Sequence, residues 1–491
     1  MIKKLIFSLY ATLLSLSLLP AALYSATWTP PQTISPTTVF DDVTLTYNTN
    51  TQQIFAAWGN SSSTFPTYSI YSTGSSWGGA APISILSSTV QNVHTAYNSA
   101  TGQMFAAWAD SNNSVIPTSS IYTQGSGWGP VITIPSSSPA STVQQDVFLA
   151  YNKGTEQIFA AWADSSNNSY PTYAIYNSIT GWSTPTPITT TSSTTCNITL
   201  IYDDASGQFL AAWRAASDSN HPYYSIFNGS SWSTPIAIST TSQVNMDIAL
   251  VYDIKNQQIL ASWCDTNNNS YPTYAIYNSI TGWSTPIPIS TTSVVSEDVE
   301  LTYDSGASQI FAAWSDSNNN SYPTYSIYTS GFGWSPSATI TTSSQAVENI
   351  YLAYNSSTAQ IFAAWQDGSS NFPTWSLYQS TFPPPTPPVA PKKFVGKITR
   401  QGNAHKHKFK LKMEWQKSTS TGVVGYEIYA DNKLIATIPV SSLKYRKPLH
   451  SNYLFKKHIP KKYKHHLDQK YRIRAVNATG LKSPFIHLHV K

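Results

Sequence analysis

The chain has 491 residues and a formal net charge of +5, yet only 10% of it is charged and 13% is aromatic. A chain this rich in Trp and Tyr is not an ordinary disordered polymer, because aromatic side chains can bury large areas. Two cysteines, Cys196 and Cys264, are too few for a disulfide scaffold; they stand either as free, partly buried thiols or, in an oxidising compartment, as one bridge.

The net charge conceals two opposed bodies. Residues 27–388 carry 3 basic against 19 acidic side chains, a net of −16, and residues 389–491 carry 23 basic against 4 acidic, a net of +19.

Residues 1–26 read as a signal peptide. Lys3 and Lys4 form a basic start, Leu5 to Leu19 is apolar, and Pro20 to Ala26 carries small residues suited to cleavage. The expected destination is the periplasm, the cell surface or the medium. No later apolar run is long enough to span a bilayer.

From residue 27 to 382 the sequence repeats. A Trp recurs as Trp58, Trp108, Trp162, Trp213, Trp263, Trp314 and Trp365, at spacings of 50, 54, 51, 50, 51 and 51 residues. Eleven residues before each stands a Tyr (Tyr47 to Tyr354), and five before stands a Gln (Gln53 to Gln360). Sixteen before stands an acid or amide: Asp42, Asn92, Asp146, Asn197, Asp247, Asp298 and Asn349. Each unit reads as four short strands. In the sixth, Asp298 to Tyr303 alternates apolar and polar residues, and Gln309 to Trp314 is almost wholly apolar. Asp316 to Tyr322 is a polar loop closed by Pro323. Thr324 to Tyr328 is a third strand, and Trp334 to Ile340 is a fourth, marked as an edge by Pro336.

Four strands in about 50 residues, repeated without a helical period, predict a seven-bladed β-propeller. The paired alanines, Ala312 and Ala313 in the sixth unit, allow blades to approach closely. The seventh unit lacks its fourth strand, whereas Trp28 to Ile34 carries the missing Trp-to-Ile spacing. The first strand of the mature chain is therefore expected to complete the last blade and remove a free edge.

Segments such as Ile175 to Ile188 (IYNSITGWSTPTPI) resemble the turn and fourth strand of sialidase-like propellers with aspartate-box (BNR-type) repeats. The box itself is degenerate, with Asn177, Ile179 and Gly181 in its Asp, Gly and Thr positions. The resemblance would imply an arginine triad, yet residues 27–382 hold only Arg214. Arg400, Arg446, Arg472 and Arg474 all lie in the tail. No pair of carboxylates stands out as a glycosidase pair.

Residues 383–390 form a proline-rich linker, expected to be a semi-rigid spacer. Residues 391–491 resemble a fibronectin type III domain, on Trp415, Gly425 to Tyr429 (GYEIY) and Tyr471 to Gly480 (YRIRAVNATG). The resemblance makes Trp415 the core Trp and Tyr471 the corner tyrosine. The fold class expected overall is all-β, a seven-bladed propeller plus a small β-sandwich.

Candidate binding residues fall in three sets. The Asx ring from Asp42 to Asn349 and a second Asp set, Asp110, Asp164, Asp265, Asp316 and Asp367, are expected on one loop face. There they either bind sugar hydroxyls or cap local turns. Asn60 and Ala215 interrupt the second set in the first and fourth repeats. Tyr170, Tyr271 and Tyr322, with Phe65 and Phe372 in equivalent places, either stack on sugar rings or pack between blades. In the tail, Lys408, Lys410 and Lys412, with Lys456, Lys457, Lys461, Lys462 and Lys464, would form a surface attracting an anionic polymer or membrane. The alternatives are a solvated face or docking on the acidic propeller.

Asp265-x-Asn267-x-Asn269 and Asp316-x-Asn318-x-Asn320 echo the first half of a calcium loop but lack its Gly and its closing acid. No cofactor is expected, calcium being the one candidate. The pattern as a whole points to an exported, monomeric, non-catalytic recognition protein with a glycan or protein ligand and no specific nucleic-acid partner. The rival readings are a diverged propeller glycoside hydrolase and a structural surface spacer.

Overall fold

A computed structural model describes residues 27–379, apart from 75, 90, 136–140 and 205. It also describes 389–401, 408–416, 418, 420, 423–430, 433–439, 452–459, 471–477 and 482–490. The signal segment, most of the proline-rich linker, and Lys461, Lys462 and Lys464 lie outside the described residues. The chain divides into two compact units, Met1–Phe382 and Pro383–Lys491.

In the first unit the described residues form seven antiparallel sheets, one per repeat. The first strands are Thr44–Asn48, His94–Asn98, Phe148–Asn152, Thr199–Asp203, Ala249–Asp253, Glu300–Asp304 and Tyr351–Asn355. Each packs against the first strand of the next repeat, and Thr44–Asn48 also packs against Tyr351–Asn355, so the sheets close into a ring.

The second strands explain the near-continuous apolar runs. Gln309–Asp316 (QIFAAWSD) is buried from Ile310 onward, because neighbouring sheets cover both of its faces. Ala312 and Ala313 are wholly buried, and so are their counterparts Ala56 and Ala57. A larger side chain there would force the sheets apart.

The fourth strand departs from the sequence reading. It is not one strand from Trp334 to Ile340 but two fragments, Gly333–Trp334 and Ala338–Thr339, both paired with Tyr322–Thr329. Pro336 lacks the N–H that a continuous ladder requires. The polar loop differs too. Ser317–Asn319 forms a single 3-10 turn, its N-terminus capped by the Asp316 carboxylate accepting from Asn318 N. Short side chains with local acceptors favour such turns without any apolar period to announce them.

One ring-to-ring contact recurs between sheets. The third-strand Tyr of one repeat meets the fourth-strand Trp of the next edge-on: Tyr68–Trp128, Tyr173–Trp232, Tyr224–Trp283 and Tyr274–Trp334 lie 5.5–5.7 Å apart between ring centroids. In the second repeat Ser119 takes the Tyr position and instead accepts a 2.9 Å hydrogen bond from Trp182 Nε1. In the first repeat Trp77 meets Trp375 of the seventh at 5.9 Å.

Trp28 supplies the remaining contact, to Tyr325, at 5.5 Å and 73°. The segment that carries it joins the seventh sheet as its outer strand, with Gln32 opposite Trp375, Thr33 opposite Thr374, and Trp28 bridging Tyr378. The first described strand thus substitutes for the strand the seventh repeat lacks.

In the second unit the described residues form two four-stranded sheets. One orders Asn452–Ile459, Lys408–Gln416, Lys392–Gln401 and His489–Val490, and the other Lys433–Pro439, Val423–Ala430, Tyr471–Asn477 and Ile486–His487. Met413, Trp415, Tyr426, Ile428, Tyr471 and Ile473 form its core. Glu427 is held ionised against its burial by Arg474 Nε at 2.7 Å and Lys482 Nζ at 3.1 Å, below the usual carboxylate range.

Trp28→Ala removes ring contacts to Tyr325 and Tyr378 at the closing seam. The expected cost is about 2–3 kcal/mol, below the ~3–5 kcal/mol of a fully buried Trp because Trp28 is half-buried. Urea unfolding measures it. Light scattering should also show concentration-dependent association, because loosening this strand frees an edge. A variant as stable and as monodisperse as the parent would contradict the seam.

Candidate functional site

The Asx ring does not cap local turns. Each member's backbone N–H donates to the side-chain oxygen of its counterpart in the next repeat. Asp42 N reaches Asn92 Oδ1 (2.8 Å), Asn92 N reaches Asp146 Oδ1 (3.1 Å), and Asp146 N reaches Asn197 Oδ1 (3.2 Å). Asn197 N reaches Asp247 Oδ1 (2.9 Å), Asp247 N reaches Asp298 Oδ1 (2.7 Å), and Asp298 N reaches Asn349 Oδ1 (3.1 Å). Asn349 N returns to Asp42 Oδ1 at 3.1 Å. The circle is closed.

The three amides also donate to carboxylates within it, two of them bridging a pair. Asn92 Nδ2 donates to both Asp42 and Asp146, Asn197 Nδ2 to both Asp146 and Asp247, and Asn349 Nδ2 to Asp42. These bonds between repeats engage the side chains that the sequence offers as candidate sugar ligands. These side chains belong to the frame, where an acceptor is needed at every inter-repeat step and only Asp or Asn of this length supplies it.

The second Asp set is also engaged. Asp265 accepts from Gln243 N, Asn267 N and Ser242 Oγ, and Asp316 from Val294 N, Asn318 N and Ser293 Oγ, all at 2.8–3.2 Å. Asp164 does the same with Thr142 N, Ser166 N and Ser141 Oγ. Asp110 accepts from Ser88 N and Asn112 N, and Asp367 from Ser369 N and Ser344 Oγ. Each one pins the segment arriving from the previous sheet to the start of its own loop. Sequence position marks these residues as loop-forming but cannot show the incoming segment that they hold.

The two sets do share one end of the ring. Val143, Val244, Val295 and Ala346, just ahead of the Asx positions, bridge Asp164, Asp265, Asp316 and Asp367. Tyr170, Tyr271 and Tyr322 lie at this end as well, each opposite the loop Asp of its own repeat. Their rings are half-exposed, while the neighbouring Asn267, Asn269, Asn318 and Asn320 are exposed.

One cleft of about 270 Å³ opens beside the sixth repeat's loop, lined by Thr292, Ser293, Asp316, Asn318, Asn319 and Thr339 among others. Its hydroxyls and amides can each donate and accept, which suits a polyhydroxylated ligand.

A second space runs along the axis. A cavity of about 170 Å³ is lined by all seven first strands, with His94, Phe148, Asp247, Asp298, Glu300 and Tyr351 among its walls. At its mouth Asp41, Glu297 and Glu348 join the Asx ring. Burial, and then repulsion from neighbouring carboxylates, pushes Asp42 and Asp298 well above the usual range. The same causes take Asp41 to about 7 and Glu300 to about 8. Burial takes Asp247 to about 6. Asp146 is the exception. Burial opposes its ionisation, but His94, Asn92 and Asn197 hold it below the ordinary value.

Among the described residues no group of three or more His, Cys, Asp or Glu is placed to hold a metal ion, and the two calcium-like loops are 3-10 turns capped by their own Asp. Cys196 and Cys264 are buried, unbridged thiols, raised to about 12 chiefly by burial. No described helix is long and apolar enough to cross a membrane.

In the tail, Lys408, Lys410 and Lys412 fall on Lys408–Gln416, and Lys456 and Lys457 on the adjacent strand Asn452–Ile459. The register sets Lys412 opposite Lys456, Leu411 opposite Lys457 and Lys410 opposite His458.

No family model matches the chain, and no curated protein does. Solved structures do. A fungal alcohol oxidase of the AA5 family, in complex with copper, aligns over 94% of this chain and 99% of its own, with a TM-score of 0.53 at 13% identity. A six-bladed β-propeller lectin from Aleuria aurantia covers 62% of this chain and 96% of its own (TM-score 0.42, 15% identity). The β-propeller domain of the trilobed protease from Pyrococcus furiosus covers 70% and 100% (0.41, 7%). The ring of antiparallel sheets in the first unit makes the fold all-β and of the propeller kind. At these identities the likeness is one of architecture alone.

The raised carboxylates set the direction of a pH effect. A group whose folded pKa lies above its unfolded value of about 4 stabilises the fold fully below that value, and the contribution is lost as pH rises through the folded pKa. Thermal unfolding should therefore show a melting temperature that falls between pH 5 and pH 8.5. Glu300→Gln should make the fall shallower over about pH 5–8, where the folded carboxyl keeps the proton that the unfolded one has lost. A melting temperature rising over that interval would contradict the assignment.

Proposed function

We propose that this is an exported recognition protein in which a seven-bladed propeller binds glycan at its loop face. A basic fibronectin type III-like domain then holds it to an anionic surface. The observation that carries the glycan reading is the 270 Å³ cleft by Asp316, walled by hydroxyls and amides, with Tyr322 opening the strand behind the same loop. Asp265 to Tyr271 repeats that loop almost residue for residue, so neighbouring blades offer similar clefts and gain avidity from one branched or repetitive ligand. The loop Asp fixes the loop's shape, and the exposed amides and the Tyr rings meet the sugar.

The anionic tether rests on the pairing of Lys412 with Lys456 and on the tail's net charge of +19. Such a surface binds with a steep salt dependence. Export rests on the basic start and apolar run of residues 1–26.

A glycan array probed with the whole chain tests the first claim. Tyr322→Ala combined with Tyr271→Ala is expected to weaken the strongest array signal about tenfold, as loss of two stacking contacts would. Release of reducing sugar from the bound glycan would instead favour the hydrolase reading. For the tether, sedimentation with phosphatidylserine vesicles should fall steeply between 50 and 300 mM salt; salt-insensitive binding, or none, would overturn it.

A further inference from the structure

The axial cavity has a chemistry that the glycan reading leaves unused. Its lining contributes three carboxylates, Asp247, Asp298 and Glu300, and no Lys or Arg. It shares Asp247, Asp298 and Asn197 with the acidic mouth, whose lining likewise has no Lys or Arg. Carboxylates gathered in a space of low dielectric favour a cationic guest.

A second, independent feature is His94. It is 5% exposed and lines this cavity, and its Nε2 makes no hydrogen bond. The nearest acid oxygen, Asp146 Oδ2, stands 3.8 Å away, beyond hydrogen-bond length. Asp146 therefore acts on His94 through charge and not through a hydrogen bond, and a buried ring nitrogen with no hydrogen bond is costly. In the tautomer that carries its proton on Nδ1, that nitrogen is an acceptor. The imidazole has two aromatic neighbours, Phe148 tilted at 5.1 Å and Tyr351 edge-on at 6.1 Å between ring centroids. The repeat places Thr44, Thr199 and Ala249 at the equivalent positions of other first strands, so His94, Phe148, Glu300 and Tyr351 make one part of the ring unlike the rest.

We propose that the axial cavity is a binding site for a small organic cation, a protonated amine or guanidinium on a short apolar body. The Glu300 carboxylate would pair with the charge. His94 Nε2 would accept one of its N–H groups, and Phe148 and Tyr351 would face it with their π-systems. The volume of about 170 Å³ is close to that of an engineered protein cavity that takes benzene, which limits the guest to roughly six to ten non-hydrogen atoms. Direct coordination of a metal ion is disfavoured, since no three His, Cys, Asp or Glu among the described residues are placed to hold one. This inference does not rest on the glycan reading.

The test is calorimetric titration of the whole chain at pH 8 with n-butylammonium chloride, n-butanol and calcium chloride. Butylammonium is expected to saturate in the millimolar range or tighter and to raise the melting temperature, while butanol, the same shape without the charge, does neither. Glu300→Gln and, separately, Phe148→Leu are expected to weaken butylammonium binding about tenfold, the loss of one charge-assisted contact. Phe148→Leu keeps the test open should Glu300→Gln fail to fold. The proposal is overturned if butanol binds as well as butylammonium, if neither variant changes the affinity, if only calcium binds, or if no titrant binds at 10 mM.

Discussion

Closure of the circle is the constraint on which everything else rests. A four-stranded sheet of this size cannot bury two apolar faces by itself, so each repeat is stable only between two neighbours. The seven Asx hydrogen bonds fix the inter-repeat step at the axis, and the Tyr–Trp edge contacts fix it at the rim. Between them lie the small alanines of the second strands. The short step inside and the long step outside follow from residue size. Trp28 and Gln32–Thr33 matter out of proportion to their length because they supply the last rim contact and the last ladder together.

The frame also explains why so many acidic groups tolerate burial. Asp and Asn alternate unevenly around the axis, and each amide is placed to donate to the carboxylates beside it. Where two carboxylates are adjacent, as Asp247 and Asp298 are, no amide intervenes, and Asp298 is pushed well up by burial and then by Asp247. Charge that the amides leave unmatched accumulates toward Glu297, Glu300 and Glu348, on one side of the channel. That asymmetry, rather than the sevenfold repeat, distinguishes a possible site from scaffold.

The functional reading divides along the same line. Positions repeated in every unit turn out to be structural, including several that had the chemistry of a binding site. The Tyr eleven residues before each core Trp is another example: Tyr303 accepts from Lys255 N and Tyr354 from Gly306 N, each in the turn of the preceding repeat. His94 and Glu300 depart from the repeat and line the axial cavity, whereas the loop amides Asn267, Asn269, Asn318 and Asn320 recur at equivalent positions and stay exposed.

Sequence alone determined the number of repeats, their all-strand content and the partner of the first strand. Those follow from spacing, from the period of apolar residues and from a gap in the seventh unit that only Trp28 to Ile34 could fill. It also marked the Asx and loop-Asp positions, because both recur without exception or nearly so. Only the tertiary structure decided what those side chains bond to. The acceptor for Asp42 N is 50 residues away and that for Asn349 N is 307 away, distances that no local pattern encodes. The axial cavity was equally hidden. His94, Phe148, Glu300 and Tyr351 are far apart in the chain, and they share one space only because a closed ring turns every first strand toward the same axis.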